Sequence, residues 1–206
     1  MIGTPLKGRL LVASPALRDP NFDRTIVLVL EHSDEGALGL VLNRPSDTEL
    51  ADTLPEWGPL AVDPGVVFVG GPVSPDSAIG LALSGGDAAG GIDGAVTTRD
   101  GDHDGEELDA STGWIPLFGP LGTVDLGRDP DDVQPGVRAV RVFVGYAGWA
   151  AGQLESELAA GGWFVVDADV RDALDTDPDG LWRTVLRRQR GALSWLANFP
   201  EDPTAN

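Results

Sequence analysis

The chain has no cysteine, one methionine, one tyrosine and two histidines in 206 residues. Without cysteine there are no disulfides, thiolate nucleophiles, iron–sulfur clusters or cysteine-based zinc sites, which is compatible with a reducing compartment. Only oxygen atoms and two imidazoles remain as metal ligands. Basic residues are also scarce: 14 Lys and Arg face 33 Asp and Glu, for a formal charge of -19. A field of that sign repels phosphate backbones and anionic lipid surfaces, so generic nucleic-acid or membrane-surface binding is disfavoured. No apolar run approaches the roughly 20 residues needed to cross a bilayer, and the first eleven residues lack the apolar centre of a secretory signal. The expected location is therefore the cytoplasm.

What is present is a 42% hydrophobic composition in short, regularly spaced runs, enough for one well-buried core. Leu10–Ala13, Thr25–Leu30, Gly39–Leu42 and Val66–Val69 are aliphatic or β-branched and bounded by Pro, Asp, Asn or Gly, as strands between turns are. The short Ser33–Ala37 connection predicts a hairpin. Leu50 and Leu54, four residues apart, predict a helix within Asp47–Trp57 that stops near Pro55. Further strands are expected at Ile79–Leu83, Thr123–Leu126, Arg138–Val144 and Trp163–Val166, with a single helical turn starting at Asp129. A helix follows Gly152 and ends at Gly161–Gly162; another covers Leu181–Arg190, with Leu181, Trp182, Val185 and Leu186 on one face.

Between Ser84 and Thr112 the sequence is mostly Gly, Asp, Ala and Thr, and a long mobile excursion is expected, with a brief strand at Ala95–Thr98 or disorder as its alternatives. The expected domain is 1–200, with 201–206 a frayed tail. Hairpins mixed with helical connections, without βαβ alternation, indicate an α+β fold.

Five segments, RLLVASPAL (Arg9–Leu17), DPNFDRTIVLVLEH (Asp19–His32), GLVLNRP (Gly39–Pro45), GGPV (Gly70–Val73) and GYAGWAAGQLESE (Gly145–Glu157), resemble in content, order and spacing the bacterial YqgE/AlgH family, also called UPF0301 or DUF179. The resemblance covers nearly the whole chain. It implies a single-domain, mixed, split β-sheet with a small barrel-like closure surrounded by helices, and it brings no established reaction.

Candidates for chemistry are few. His32 beside Glu31 at a strand end is the minimum equipment for general acid–base catalysis, although a lone histidine there is more often a hydrogen-bonded structural residue. Ser14 before Pro15 reads as a turn residue. Asp100–Gly105, DGDHDG, matches the first half of a calcium loop, but the twelfth position is Ser111 where a bidentate Glu belongs. No nucleophile elbow, phosphate loop, dinucleotide fingerprint or zinc-helix motif is present, so no cofactor and no metal are expected. Arg183, Arg187, Arg188 and Arg190 form the one basic cluster; salt bridges to acidic loops are a better use for them than phosphate contacts.

The remaining signal lies where strands are expected to stop: Asn21, Phe22, Asp23 and Arg24; Asn43, Arg44 and Pro45; Gly70, Gly71, Pro72 and Val73; Gly145, Tyr146, Gly148 and Trp149, then Gln153 and Glu155. If those ends converge, they form, with His32, a groove of exposed amides, an aromatic wall and a guanidinium. The alternative is that the glycines serve tight strand crossings while Tyr146 and Trp149 belong to the core. Gly152 as cap places Glu155 where its carboxylate reaches the first free helix amides. The leading expectation is a binding or regulatory domain without catalysis, whose partner is a protein or a small molecule. A hydrolase-like enzyme using His32 and Glu31 or a loop-bound metal, and a transcription-linked regulator acting through the C-terminal arginines, are the alternatives.

Overall fold

The computed structural model describes residues 5–17, 19–85 and 112–200. The expected excursion from Ser84 to Thr112, its DGDHDG loop and the tail after Pro200 lie almost wholly outside the described residues. Ten strands form one sheet: β1 Arg9–Ala13, β2 Ile26–Ser33, β3 Gly36–Val41, β4 Pro45–Glu49, β5 Val66–Val69, β6 Val73–Ser84, β7 Trp114–Phe118, β8 Leu121–Val124, β9 Val137–Ala150 and β10 Trp163–Asp167. Their order is β10-β1-β2-β3-β9-β6-β8-β7, with β4 and β5 branching from β9. The β5–β9 ladder is parallel and the other ladders are antiparallel, so the sheet is mixed. It is also split, because β9 pairs with β3 through Ala147–Ala150 and with β6 through Val137–Tyr146. Helices α1 Leu50–Thr53, α2 Gln153–Ala159, α3 Val170–Ala173, α4 Leu181–Arg187 and α5 Ala192–Leu196 surround it, giving the expected α+β class. Among the described residues no helix is long and apolar enough to cross a membrane.

The early strands read as continuous apolar runs because both of their faces are covered. Leu10, Val12, Ile26, Leu28 and Leu40 face a first core closed by Leu181, Trp182, Val185 and Leu186 of α4. Leu11, Ala13, Val27, Val29 and Val41 face a second, closed by Leu154 and Leu158 of α2 and by Phe22. A third core gathers Leu50, Trp57, Val67, Val140 and Val142. Each fully buried large side chain contributes about 1.5–3 kcal/mol.

β9 supplies all three cores: Phe143 to the first, Ala147 and Trp149 to the second, Val140 and Val142 to the third. Strict alternation of faces would not allow this; Gly145, at φ +67°, shifts the phase. Opposite it, the Gly70 amide donates to Val144 O at 2.8 Å and Gly70 O accepts from Val41 N at 2.8 Å. A Cβ on Gly145 would lie 2.4 Å from Gly71 O, and one on Gly71 would lie 2.2 Å from the Tyr146 carbonyl carbon. The expected strand therefore does not end at Val144: Gly145–Ala150 is its second half.

One other expectation is corrected, and one strand residue has a place that the sequence did not suggest. The proposed Asp47–Trp57 helix is shorter, α1 alone, because Pro45–Glu49 forms an exposed edge strand on β5. Its polar PSDTE sequence gains its extended form from pairing rather than propensity. Arg141, read only as one residue of a strand, has its side chain buried in the core at 2% exposure. Its guanidinium donates to Asp63 O at 2.7 Å and Asp175 O at 2.8 Å, and sits 4.3 Å over the Phe68 ring. Burial lowers its pKa to about 10, against the opposing pull of Asp175.

α2 is held to the sheet by Glu157, whose Oε2 accepts from the indole N–H of Trp149 at 2.9 Å and of Trp163 at 2.8 Å, while Oε1 accepts from Gln153 Nε2 at 3.0 Å. Phe22 stacks on Trp149 with ring centroids 6.3 Å apart and meets Trp163 edge-on at 5.4 Å.

Two outcomes follow from these contacts. Gly145→Ala forces a side chain against backbone in a left-handed conformation and lowers unfolding free energy by roughly 3 kcal/mol in chemical denaturation; an unchanged midpoint contradicts the crossing. Glu157→Leu orphans two indole donors and costs about 2 kcal/mol, with altered tryptophan emission; unaltered emission and midpoint contradict the anchoring role.

Candidate functional site

The expected groove resolves into three places. The first is a closed knot. Asn43, 3% exposed, accepts from Ile26 N at 2.9 Å through Oδ1 and donates to Arg24 O at 2.9 Å through Nδ2, pinning the Asn21–Arg24 turn to the end of β3. Asn21 is itself held by Asp19, whose Oδ1 accepts from its backbone and side-chain N–H. The Arg24 guanidinium donates to Phe199 O at 3.0 Å and to Pro200 O, 4.9 Å from the Trp182 ring centre. Arg44 donates to Asp23 O and, at 3.3 Å, to Asn43 O. Both guanidiniums thus neutralise carbonyl dipoles of their own chain rather than facing an open groove.

The second place is the crossing itself. Gly70, Gly71 and Gly145 meet backbone to backbone, and the Gly70 amide is taken up by Val144 O. Pro45 lies just beyond, paired with Phe68, and Pro72 carries the chain from the crossing into β6. Trp149, 6% exposed, is fixed in the second core by Phe22, Trp163 and Glu157.

The third place is an open cleft of about 460 Å³. Its floor is sheet. A bulge between Val29 and Glu31 puts Glu31 on the same side as Leu30, and the ladder then aligns Glu31 with Leu38 and Leu38 with Gly148; the next row aligns Ser33, Gly36 and Ala150. Tyr146 and Val73 close one side and Glu35 stands at the hairpin tip. From the expected set the structure brings Val73, Tyr146, Gly148 and the edge of Trp149 into this cleft. The hairpin residues Glu31, Ser33, Glu35 and Leu38 complete it. Ser33 and Glu35 belong to the hairpin connection expected from the sequence, whereas Glu31 reaches this face through the bulge, which the alternation of the sequence does not display.

Tyr146 lies along the bare Gly148 peptide: a Cβ on Gly148 would be 3.4 Å from the ring and 3.6 Å from Val73, ordinary contact distances. Glu31 and Glu35 are exposed, and among the described residues neither carboxylate has an ion-pair partner. A second, more apolar cleft of about 300 Å³ adjoins the first through the shared Glu31 and Leu38. Ile79, Ile115 and Leu117 line its far side, with Lys7 at its rim.

His32 points the other way. Its Nε2 lies 2.7 Å from Glu155 Oε1 of α2, and its Nδ1 accepts from Leu6 N at 3.2 Å. The neutral tautomer with hydrogen on Nε2 satisfies both contacts. The imidazole is 3% exposed and pairs with Glu155, not with its neighbour Glu31, which lines the cleft on the opposite face. Glu155 meets its own backbone amide and, next, His32, and both hold its carboxyl below the usual value. Gln153 is likewise engaged, accepting from Ala150 N at 3.1 Å.

No group of three metal-ligating side chains occurs among the described residues. Of the C-terminal arginines, Arg188 forms a two-point pair with the buried carboxylate of Asp172 and donates to Asp167 O at 3.0 Å, while Arg183 donates to Ala197 O at 3.3 Å.

The fold and much of this sequence recur elsewhere. A UPF0301 protein of Streptomyces coelicolor is 49% identical over 201 residues, covering 98% of this chain and 95% of its own. A UPF0301 protein of Rhodococcus jostii is 41% identical over 97% of this chain and 90% of its own. A crystal structure of a Corynebacterium diphtheriae protein superposes with TM-score 0.78 at 32% identity, covering 97% and 95% of the two chains. The solution structure of the Pseudomonas aeruginosa AlgH protein superposes with TM-score 0.62 at 29% identity over 98% of each. The family model DUF179, described as AlgH-like, matches residues 10–194, and the chain belongs to this AlgH-like, UPF0301 family.

Proposed function

We propose that the protein is a cytoplasmic binding domain without catalysis, and that it engages its partner through the cleft on the uncovered face of β2, β3 and β9. The observation that carries this reading is the floor itself. A row of sheet residues, Glu31, Leu38 and Gly148, lies open beside the Tyr146 ring, with the exposed carboxylates of Glu31 and Glu35 in the same cleft. Concave surfaces with one aromatic side and a few convergent polar groups are where ligands bind.

A hydrolytic role gains no support from His32, whose two nitrogens are both engaged on the face away from the cleft. A nucleic-acid role gains none from the C-terminal helix, where Arg188 is neutralised by Asp172 and the whole chain carries -19.

Gly148 is exposed and not in a left-handed conformation, so Gly148→Leu fills the cleft without forcing the backbone. The variant is expected to keep the wild-type melting temperature within about 3 °C. In side-by-side affinity capture from cell extract, followed by mass spectrometry, it is expected to lose partners that the wild type retains. Identical captured sets from two equally folded proteins overturn the proposal.

A further inference from the structure

Resting on that reading of the cleft, we infer that its occupant is a flexible segment of a partner protein. That segment presents an arginine side chain to the polar cleft and a large aliphatic side chain to the adjoining apolar one. Three observations converge. Glu31 and Glu35 line the polar cleft without ion-pair partners among the described residues, and no cationic side chain lines it. A chain of charge -19 also steers cations toward such a mouth.

The second observation selects guanidinium over ammonium. The half-buried Tyr146 ring lines the same cleft as Glu31 and Glu35, so a planar cation paired with a carboxylate there has an aromatic side chain within reach. Arginine can stack on an aromatic ring while its fork donates two parallel hydrogen bonds to a carboxylate; lysine supplies only a point charge. The third is the neighbouring cavity of about 300 Å³, where Leu38 and Ile115, the latter 46% exposed, form apolar walls next to Glu31. In an extended peptide, residues two apart project to the same side about 7 Å from each other, matching two clefts that share a wall.

The test uses the single tyrosine of the chain as a reporter. Protein carrying ring-labelled tyrosine is titrated with the capped peptide Leu-Gly-Arg-Gly-Leu, with the same peptide bearing citrulline, the uncharged isostere of arginine, and with its lysine counterpart. The arginine peptide is expected to move the Tyr146 ring signal saturably. The citrulline peptide should bind at least about tenfold more weakly, the lysine peptide should bind more weakly than arginine, and Glu31→Gln combined with Glu35→Gln should weaken arginine-peptide binding by about tenfold. Equal binding of arginine and citrulline peptides, or no loss in the double variant, overturns the inference. So does a Tyr146 signal that does not respond to the arginine peptide. If Gly148→Leu still loses its captured partners in that case, the cleft reading stands and only the arginine assignment falls; if Gly148→Leu retains them, the cleft reading falls as well.

Discussion

The contact on which the molecule turns is a crossing of two chain segments with no side chain between them. Gly70 and Gly71 lie against Gly145 and Tyr146, closer than a Cβ allows. The hydrogen bonds from Gly70 to Val144 and from Val41 to Gly70 join β3, β5 and β9 at one point. Such an approach is open only to glycine, and it excludes water from amides that would otherwise be costly to bury. Because Gly145 also changes which face β9 presents, one strand serves three cores, and the two halves of the split sheet act as one body.

The cleft is a consequence of the same device. Past Gly145, Ala147 and Trp149, which share the parity of Phe143, point into the second core instead of the first, and Tyr146 and Gly148, which share that of Val140 and Val142, are left on the opposite side. The bulge between Val29 and Glu31 makes the matching change in β2. Both phase shifts leave Glu31, Leu38, Tyr146 and Gly148 on an open face, while His32, Ala37 and Trp149 turn toward α2. Glu157 and the Glu155–His32 pair then hold α2 on the far side, so the cleft floor is braced from behind. A surface built this way is rigid, and rigidity reduces the ordering cost of binding.

The sequence was most informative where burial dominates. The runs at Leu10–Ala13, Thr25–Leu30 and Val66–Val69, the hairpin after Ser33 and the apolar face of α4 follow from hydrophobicity and turn chemistry, and the structure has them. β4 could not be read because an exposed PSDTE segment is extended only by virtue of its partner. Arg141 could not be read because the carbonyls of Asp63 and Asp175 that hold it are remote in sequence. The glycine and polar clusters were expected to converge on one groove. Yet Gly70, Gly71 and Gly145 serve packing, and Arg24, Arg44 and Asn43 tie loops together. Strand-end punctuation in the sequence thus marked a region, while the division between sealed crossing and open cleft depended on bulge phase, which periodicity does not display.

Native-state hydrogen exchange along β9 tests the central claim most directly, since it reads whether the two halves of that strand open together. If the glycine crossing couples the split sheet, the amides of Gly70, of Val140–Val144 and of Ala147–Trp149 that bond across the ladders exchange only through global unfolding, with one common free energy. Separate, lower opening energies for the β3-facing and β6-facing halves would contradict it.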